Sequence, residues 1–388
     1  MSAKTPLINP GSTLPTRTLP VLCALLISIF IYSCDPGVPP PPLEQDGILY
    51  DVAGTQGLRG NDGDDGLAIE SLLYLPVAIT VAPGGEILVA DLNNNRVRRI
   101  STDGIIHGFI GSGFQGDDTS GPGPVVDLNH PADIAIGPYS NYFVADFENN
   151  KVKVFDAVTL ECSVRVGPGD RGYRGGGDPP IYSSLVFDPS GSMLVVDQGN
   201  SRILKVDAQT DTITTFAGGT RGYADGIGEA AQFSLPGCEG YWCGRSGIEI
   251  SLNGEDIYLT DTENHVIRKI NIATRVVTTI AGTPTNPGWE GDGGPALSAL
   301  LNYPTDLDVA NNGDIYVADT HNHVIRKISA SGIITTVAGN GIPGSSPNGT
   351  PAVEAKLNGP EGLAFDDATN TLYICDTYNH QIKKIINP

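Results

Sequence analysis

The chain of 388 residues contains 49 Gly and 29 Pro, is 40% apolar and 17% charged, and carries a formal net charge of −21. This composition is typical of a loop-rich, mostly β globular protein with enough apolar residues for a large core. The strong negative charge argues against nucleic-acid binding, because that binding depends on Lys and Arg side chains that displace counterions from phosphates.

Residues 1–33 have the order of a secretory signal, with two basic residues first and an apolar run over 19–32. The run is shorter than the roughly 20 apolar residues that a spanning helix needs. Cys34 follows it in a way that resembles the bacterial lipobox, which predicts an acylated Cys34 as the first mature residue. An ordinary signal peptide or an uncleaved anchor is the alternative, and each places the rest outside the cytoplasm. The proline-rich residues 34–46 are predicted to form an extended linker.

One sequence unit recurs six times along the chain. Residues 316–328, YVADTHNHVIRKI, read as a strand that ends at an aspartate, a tight turn around Asn322, and a second strand with Arg326 and Lys327 pointing outward. The aspartates recur every 51 to 64 residues, a period typical of propellers and solenoids. They are Asp91, Asp146, Asp197, Asp261, Asp319 and Asp376.

Two further phrases repeat in register with this unit. A β-type run stopped by glycine follows it, as at 333–339, and a short strand with a Gly or Asn turn precedes it, as at 303–314. Each unit therefore has four strands, in the order inner, second, third and outer, which is one propeller blade. The sixth unit lacks an outer strand, whereas the run at 48–54 has no unit of its own. We predict an all-β fold, a six-bladed β-propeller of four-stranded antiparallel blades over 47–388, closed by the N-terminal strand 47–54.

These phrases resemble the NHL-repeat family, which is named for an Asn-His-Leu triplet. The resemblance covers about 47–388 and implies a six-bladed propeller. Blades 1 to 3 depart from it, with Asn95, Asn150 and Ser201 at the position of the histidine. The triplet stands in this chain as Asn264-His265-Val266, Asn322-His323-Val324 and Asn379-His380-Gln381.

The polar residues of the repeated turn are predicted to be structural, because a catalytic centre is one place whereas these residues occur in every unit. The asparagine suits a turn with left-handed or side-chain-bonded geometry, and the aspartate can accept backbone N–H groups of that turn. His265, His323 and His380 cannot share a zinc ion, since equivalent residues on neighbouring sheets lie about 10 Å apart and Zn–N bonds are about 2 Å long.

Four acidic residues interrupt the small or apolar residues expected on the strands that line the channel. They are Asp133, Glu249, Asp306 and Asp308. Converging carboxylates could hold Ca²⁺ or Mg²⁺ through oxygen ligands, as in gluconolactonase-like propeller hydrolases. The alternative, which the sequence favours, is an acidic solvated channel mouth or a set of caps for backbone N–H groups.

Blade 4 carries an insertion, residues 237–245, before its inner strand. Cys238 and Cys243 in this loop are predicted to form a disulfide in an exported protein. Cys375 is expected to be a buried thiol, and Cys162 has no assigned role. The loop is predicted to present a rigid aromatic binding surface, and a structural plug over the pore is the alternative. The predicted contact residues are Tyr241, Trp242, Arg245 and, from a neighbouring connector, Trp289.

Taken together, the sequence favours a lipid-anchored, monomeric propeller of the bacterial cell envelope that binds a protein, peptide or glycan on the loop face, without catalysis or a cofactor. No Ser-His-Asp grouping, phosphate-binding loop or HExxH motif is found in the sequence. The alternative is a metal-dependent hydrolase or lyase that uses the pore carboxylates with Ca²⁺ or Mg²⁺.

Overall fold

The computed structural model describes residues 44–167, 180–237 and 244–388. They belong to one compact unit, Pro42–Pro388. Within these ranges the strands form six antiparallel sheets of four or five strands, each ordered inner, second, third, outer. The prediction of a six-bladed β-propeller is therefore confirmed.

The blades are numbered in chain order, and their strands are given from the inner to the outer one. Blade 1 contains Pro76–Val81, Ile87–Asp91, Arg96–Ile100 and Ile105–Ile110. Blade 2 contains Pro131–Ile136, Tyr142–Asp146, Lys151–Phe155 and Glu161–Val166. Blade 3 contains Tyr182–Phe187, Met193–Asp197, Arg202–Val206 and Ile213–Gly218. Blade 4 contains Ile248–Ile250, Asp256–Asp261, Val266–Asn271 and Val276–Ala281. Blade 5 contains Pro304–Val309, Ile315–Asp319, Val324–Ile328 and Ile334–Ala338. Blade 6 contains Pro360–Asp366, Thr371–Asp376, Gln381–Ile386 and Ile48–Ala53.

Short elements complete the blades. Two-residue strands extend the outer edge of blades 1, 2, 4 and 6 at Gly66–Leu67, Gly121–Pro122, Gly226–Ile227 and Thr350–Pro351. A 3-10 helix forms the turn after each second strand, at Leu92–Asn94, Phe147–Asn149, Gln198–Asn200, Thr262–Asn264, Thr320–Asn322 and Thr377–Asn379. Other 3-10 helices lie in connectors, at Ala68–Glu70, Gly123–Val125, Pro138–Ser140, Gly228–Ala230, Ala296–Ser298 and Ala352–Glu354.

The N-terminal strand closes the ring as predicted. Ile48–Ala53 pairs antiparallel with Gln381–Ile386, and Leu49 lies opposite Ile385. Leu49 is buried, because it packs into the core between the last two blades. The strand thus supplies the outer edge of blade 6 and covers an edge that would otherwise stay unpaired.

The core lies between the faces of neighbouring blades. The second strand is buried on both faces, as Ile87–Asp91 shows along its whole length, and it therefore appears in the sequence as an uninterrupted apolar run. Cys375 and Cys162 are buried free thiols, which confirms the expectation for Cys375. Cys238 and Cys243 lie outside the described residues, so their disulfide stays a prediction. None of the helices in the described ranges has the length and apolar character to cross a membrane.

Candidate functional site

The aspartate at the end of each second strand holds the turn that follows it. In blade 5 the Asp319 carboxylate accepts hydrogen bonds from the Asn302 N–H and from the Asn322 side-chain amide, at 2.7 and 2.8 Å. Asn302 belongs to the loop that enters the inner strand of the same blade. The aspartate therefore accepts its backbone N–H from this entry loop. The prediction that the N–H comes from the aspartate's own turn is wrong. Equivalent aspartates make the same two contacts in the other blades.

A buried cation on the third strand completes this unit. Arg326 is fully buried, and its guanidinium donates to Asp319 at 3.3 Å and to Asp292 of the Gly-rich connector at 2.7 Å. The prediction that Arg326 points outward is therefore wrong, because two carboxylates meet it inside the blade and offset its desolvation. Pairs of aspartates flank Arg98, Lys153 and Arg268 in the same way, and Lys383 pairs with Asp51.

The left-handed backbone of the turn falls on the residue after the asparagine. Its φ is +59° at His265, +56° at His323 and +59° at His380. The turn asparagine instead donates its side-chain amide to the aspartate. Its predicted side-chain bonding is therefore confirmed, whereas the left-handed conformation belongs to the next residue.

The inner strands surround a cavity of about 450 Å³ on the propeller axis. This volume falls within the range of about 300–1,000 Å³ that small-ligand pockets occupy. Residues from all six inner strands line it, and its walls combine aliphatic side chains, the rings of Phe187 and Phe365, and four acids. We call this cavity the axial pocket.

Arg245 closes the axial pocket at the end where the inner strands begin. Only 2% of its surface is exposed. Its guanidinium donates to the carbonyl oxygens of Val77 and Ala132 and to the Asp306 carboxylate, each at 3.1 Å, and lies 3.6 Å from Asp133. These partners come from blades 1, 2 and 5. The prediction that Arg245 lies on an exposed binding surface is therefore wrong, because its buried guanidinium plugs the channel.

The channel is narrow at the level of this plug. A Cβ atom added to Gly247 would lie 2.2 Å from the Asp306 carboxylate, and one added to Gly362 would lie 2.4 Å from the Val77 carbonyl oxygen. Both glycines stand in the repeat position of Asp133 and Asp306. This position therefore differs between blades because one arginine and two carboxylates fill space that six equal side chains could not share.

Asp133 and Asp306 form the first pair of channel acids. The Asp133 carboxylate accepts the Ser184 hydroxyl at 2.9 Å and the Leu185 N–H at 3.0 Å, and Asp306 accepts the Leu363 N–H at 3.1 Å. Each acid thus caps the inner strand of the next blade. Burial raises the pKa of Asp306 to about 7, although Arg245 acts in the opposite direction.

Glu249 and Asp308 form the second pair, and no ion pair to either is found among the described residues. Asp308 accepts the N–H groups of Val309 and Phe365, both at 2.6 Å, and Glu249 accepts the Ile250 N–H at 2.8 Å. Burial raises the pKa of Asp308 to about 6. Burial, reinforced by the negative charge of Asp308, raises the pKa of Glu249 well above its ordinary range.

These acids accept backbone N–H groups, as expected for the caps that the sequence favours over a cation site. In the part of the chain that the structure describes, no group of three or more His, Cys, Asp or Glu residues could hold a metal ion. The proposed ligand set is divided, because Asp133 and Asp306 share Arg245, whereas Glu249 and Asp308 face the rest of the pocket.

Trp289, the remaining predicted contact residue that the structure describes, is not part of the pocket lining. Tyr241 and Trp242 fall outside the described residues. Trp289 is 40% exposed and donates its indole N–H to the Thr336 hydroxyl at 3.2 Å. The role of Arg245 was missed, although a cation just before an inner strand, in a chain with four channel acids, was a usable signal.

Two family models match the chain: the Teneurin NHL domain over residues 247–378 and the NHL repeat over residues 73–100. The chain is 29% identical over 299 residues to Protein SUPPRESSOR OF QUENCHING 1, chloroplastic, of Arabidopsis thaliana, a match that covers 73% of this chain and 26% of that protein. It is 27% identical over 347 residues to NHL repeat-containing protein 2 of Bos taurus, covering 81% of this chain and 46% of that protein. The chain thus spans less than half the length of either relative.

Among solved structures, an auxiliary nutrient binding protein from Bacteroides thetaiotaomicron superposes with a TM-score of 0.65 at 16% identity, covering 87% of this chain and 76% of that chain. This likeness shows the fold. The matching NHL models, the NHL repeat-containing relative and the six-bladed β-propeller fold identify the chain as an NHL-repeat protein.

Proposed function

We propose that this protein is a non-enzymatic binding protein of the cell envelope that holds a small ligand in the axial pocket. The observation that carries the proposal is a cavity of about 450 Å³ that all six inner strands line and that Arg245 closes at one end. A blind, partly apolar pocket with a few fixed polar groups is the usual form of a small-ligand site. The structural neighbour described as an auxiliary nutrient binding protein is consistent with a binding role.

The chemistry of the pocket wall favours a ligand that donates hydrogen bonds and carries a positive charge. Arg245 is the one cationic side chain in the described lining, and carbonyl oxygens and carboxylates already surround it. Glu249 and Asp308 present carboxyl groups without such a partner. A ligand ammonium group beside them would favour their ionised forms and displace a proton, because a nearby opposite charge lowers a carboxyl pKa. The ligand class that fits is a small amine, an amino sugar or the amino end of a peptide.

Calorimetry and thermal unfolding of the full-length protein test this at pH 8 with putrescine, glucosamine, glucose and succinate. We expect the two amines to bind and raise the unfolding temperature, and succinate to do neither. In the double variant Glu249→Gln with Asp308→Asn, amine affinity should fall at least about tenfold, since two charge-assisted contacts are lost. The variant Glu255→Gln, which changes an exposed acid of blade 4, serves as the matched control. Equal amine affinity in the double variant, or binding only of succinate, contradicts the proposal.

Recognition of a larger partner on the loop face is a separate proposal. Trp289 and Tyr378, which are 40% and 46% exposed, support it. Exposed aromatic side chains of this kind are enriched at binding hot spots. Replacing Trp242 by Ala should weaken capture of a protein, peptide or glycan partner without lowering the unfolding temperature, and unchanged capture would exclude Trp242 from the surface.

A hydrolase or lyase is the second candidate, and the pair Glu249 and Asp308 is the observation that favours it. Two carboxyls with raised pKa values in a cavity are a frequent arrangement for acid–base chemistry. The metal-dependent hydrolase or lyase that the sequence suggests also needs a divalent cation. Metal analysis of the purified protein decides that part: a stoichiometric Ca²⁺ or Mg²⁺ that disappears in Glu249→Ala with Asp306→Ala supports it, and a metal-free stable protein removes it.

We further propose that Cys34 is acylated and anchors the protein outside the cytoplasm. The support is the order of the N-terminal sequence, in which a basic segment, an apolar run and Cys34 follow one another. Fatty-acid labelling in a bacterial host should modify the wild-type protein and not Cys34→Ser. Labelling of both proteins, or of neither, contradicts the anchor.

A further inference from the structure

The same hydrogen bond joins neighbouring blades at several junctions of the ring. At the junction of blades 4 and 5, the Nδ1 atom of His265 accepts the Tyr303 N–H at 3.0 Å. At the junction of blades 5 and 6, the Nδ1 atom of His323 accepts the Gly359 N–H at 3.0 Å. In both cases the accepting side chain follows the turn asparagine, and the donor lies in the loop that enters the next inner strand.

The bond also occurs where the ring closes. The Nδ1 atom of His380 in blade 6 accepts the Leu75 N–H of blade 1 at 3.2 Å. At the junction of blades 1 and 2 an amide takes the place of the imidazole, and Asn95 Oδ1 accepts the His130 N–H at 3.0 Å. Three successive junctions therefore use a titratable acceptor, and the fourth uses one that does not titrate.

A histidine accepts at Nδ1 only when the imidazole is neutral with its proton on Nε2, because the imidazolium ion has a donor on each nitrogen. From this geometry we infer that the arc from blade 4 through blades 5 and 6 to blade 1 is an acid-sensitive part of the ring, which protonation of His265, His323 and His380 loosens. Asn95 keeps the junction of blades 1 and 2 independent of pH.

The surroundings of the three imidazoles act in the direction that the geometry requires. Burial lowers the pKa of all three. His321 lowers the pKa of His265 further, and Glu263 opposes it. Arg59 lowers that of His380.

Further rings and charges face these histidines. Tyr74 packs edge-on against His380, with ring centroids 5.5 Å apart. Tyr303, the residue that donates to His265, stacks on His321 at 4.5 Å. Burial and, to a smaller extent, His323 lower the pKa of His321. Glu263 is the carboxylate that acts on His265.

The sign of the effect follows from the direction of these shifts. The pKa of each histidine is lower in the folded protein than its ordinary value of 6.5. The unfolded chain then binds more protons as the pH falls below 6.5, so folding stability is complete above this pH and is lost as the pH falls through the folded-state pKa values. The loss reaches up to about tenfold in the folding equilibrium constant per histidine and per pH unit.

Buried carboxyls titrate with the opposite sign, so the wild-type profile alone does not isolate the histidines. Burial raises the pKa of Asp376 to about 7, for example, which adds stability as the pH falls. The test therefore compares the full-length wild type with a triple variant, His265→Asn, His323→Asn and His380→Asn. Asparagine fits because the chain itself places Asn95 and Asn150 at this position with φ of +51° and +54°.

Urea unfolding is measured for both proteins at pH 8, 7, 6 and 5, together with hydrogen-exchange protection factors. We expect equal stability at pH 8 and a growing deficit of the wild type below pH 6.5. Protection should fall in wild-type peptides that contain Leu75, Tyr303 and Gly359, and stay constant at His130. The control His107→Asn removes an imidazole that lies on an outer strand and pairs with Asp65, and acid should still lower protection at Leu75, Tyr303 and Gly359 in this variant.

Two results overturn the inference. One is the same pH dependence of stability in the wild type and in the triple variant. The other is acid-induced loss of protection that is as large at His130 as at Leu75, Tyr303 and Gly359. If the triple variant does not fold, the single variant His323→Asn and the exchange data for the wild type still decide, since protection at Gly359 alone should become independent of pH in that variant.

Discussion

The repeated turns and the channel of this propeller use the same kinds of side chain in different ways. In the turns, each aspartate meets an asparagine, a backbone N–H and in most blades a buried cation, as Asp261 does with Asn264, Ser234 and Arg268. In the channel, four acids meet one cation, Arg245. The turn units are charge-compensated one by one, whereas the channel keeps an excess of carboxyl groups.

This difference shows where repetition carries information about function. A residue that recurs in every blade is a part of the unit that makes the blade fold. Gly247 and Asp306 differ from their counterparts because they meet Arg245 of the insertion on the axis, where only one set of side chains fits. The positions that vary between blades are therefore the ones that define the pocket.

The largest expected effect comes from removing Ile48–Ala53. The deletion takes away the outer strand of blade 6 and also Asp51, the carboxylate that pairs with buried Lys383. We expect loss of cooperative thermal unfolding, since an unpaired edge and an unpaired buried charge remain. Deleting six residues of the predicted linker, 37–42, is the control and should leave the transition unchanged. An unaltered transition without the strand would disprove closure of the ring by this segment.

A buried cation of the turn unit gives the next largest effect. Arg268→Met should lower the free energy of unfolding by about 3–5 kcal/mol, because it leaves the Asp261 carboxylate buried without its partner at 2.7 Å. The neighbouring Lys269 pairs with Asp256 near the surface, and Lys269→Met should cost at most about 1 kcal/mol. Denaturant unfolding of both variants measures the contrast. Equal costs would mean that the buried unit contributes no more than an exposed ion pair.

The sequence predicted the fold because the same four-strand unit occurs six times. The closing strand was predicted because the sixth unit lacks an outer strand and the run at 48–54 has no unit of its own. It placed Asp133, Glu249, Asp306 and Asp308 in the channel for the same reason, since the register of the repeat locates every inner-strand residue. It did not place Arg245, because an insertion has no counterpart in other blades and its direction depends on which carbonyl oxygens lie on the axis. Arg326 was misplaced because alternation along a strand does not reveal a carboxylate supplied by a distant connector.

The plug itself offers a third test of the comparison. Arg245→Met should lower the free energy of unfolding at pH 8 by about 2–3 kcal/mol, less than Arg268→Met, because Asp306 with a pKa of about 7 can be neutralised at modest cost. Adding Asp306→Asn to Arg245→Met should restore part of the loss, since it removes one of the two facing carboxylates. If the second change adds a further loss, Asp306 is held by its bond to the Leu363 N–H more than by the arginine.

The smallest expected effect concerns the pair Glu249 and Asp308, whose replacement should raise the free energy of unfolding at pH 8, unlike the changes above. Burial raises both pKa values, for Asp308 from 3.8 to about 6, so the folded protein binds more protons and stability is lost as the pH rises between these values. The double variant Glu249→Gln with Asp308→Asn should therefore be more stable than the wild type at pH 8 by about 1–2 kcal/mol, and the gain should shrink towards pH 4.

Urea unfolding at the two pH values measures this difference, and Asp156→Asn is the control. The N–H groups of Thr159 and Val158 lower the pKa of Asp156, so its replacement should reduce stability at pH 8. A double variant that is less stable than the wild type at pH 8 would place these acids with the turn aspartates, as structural groups. A more stable variant that no longer binds amines would mean that the pocket keeps carboxyl groups at a cost in stability because the ligand needs them.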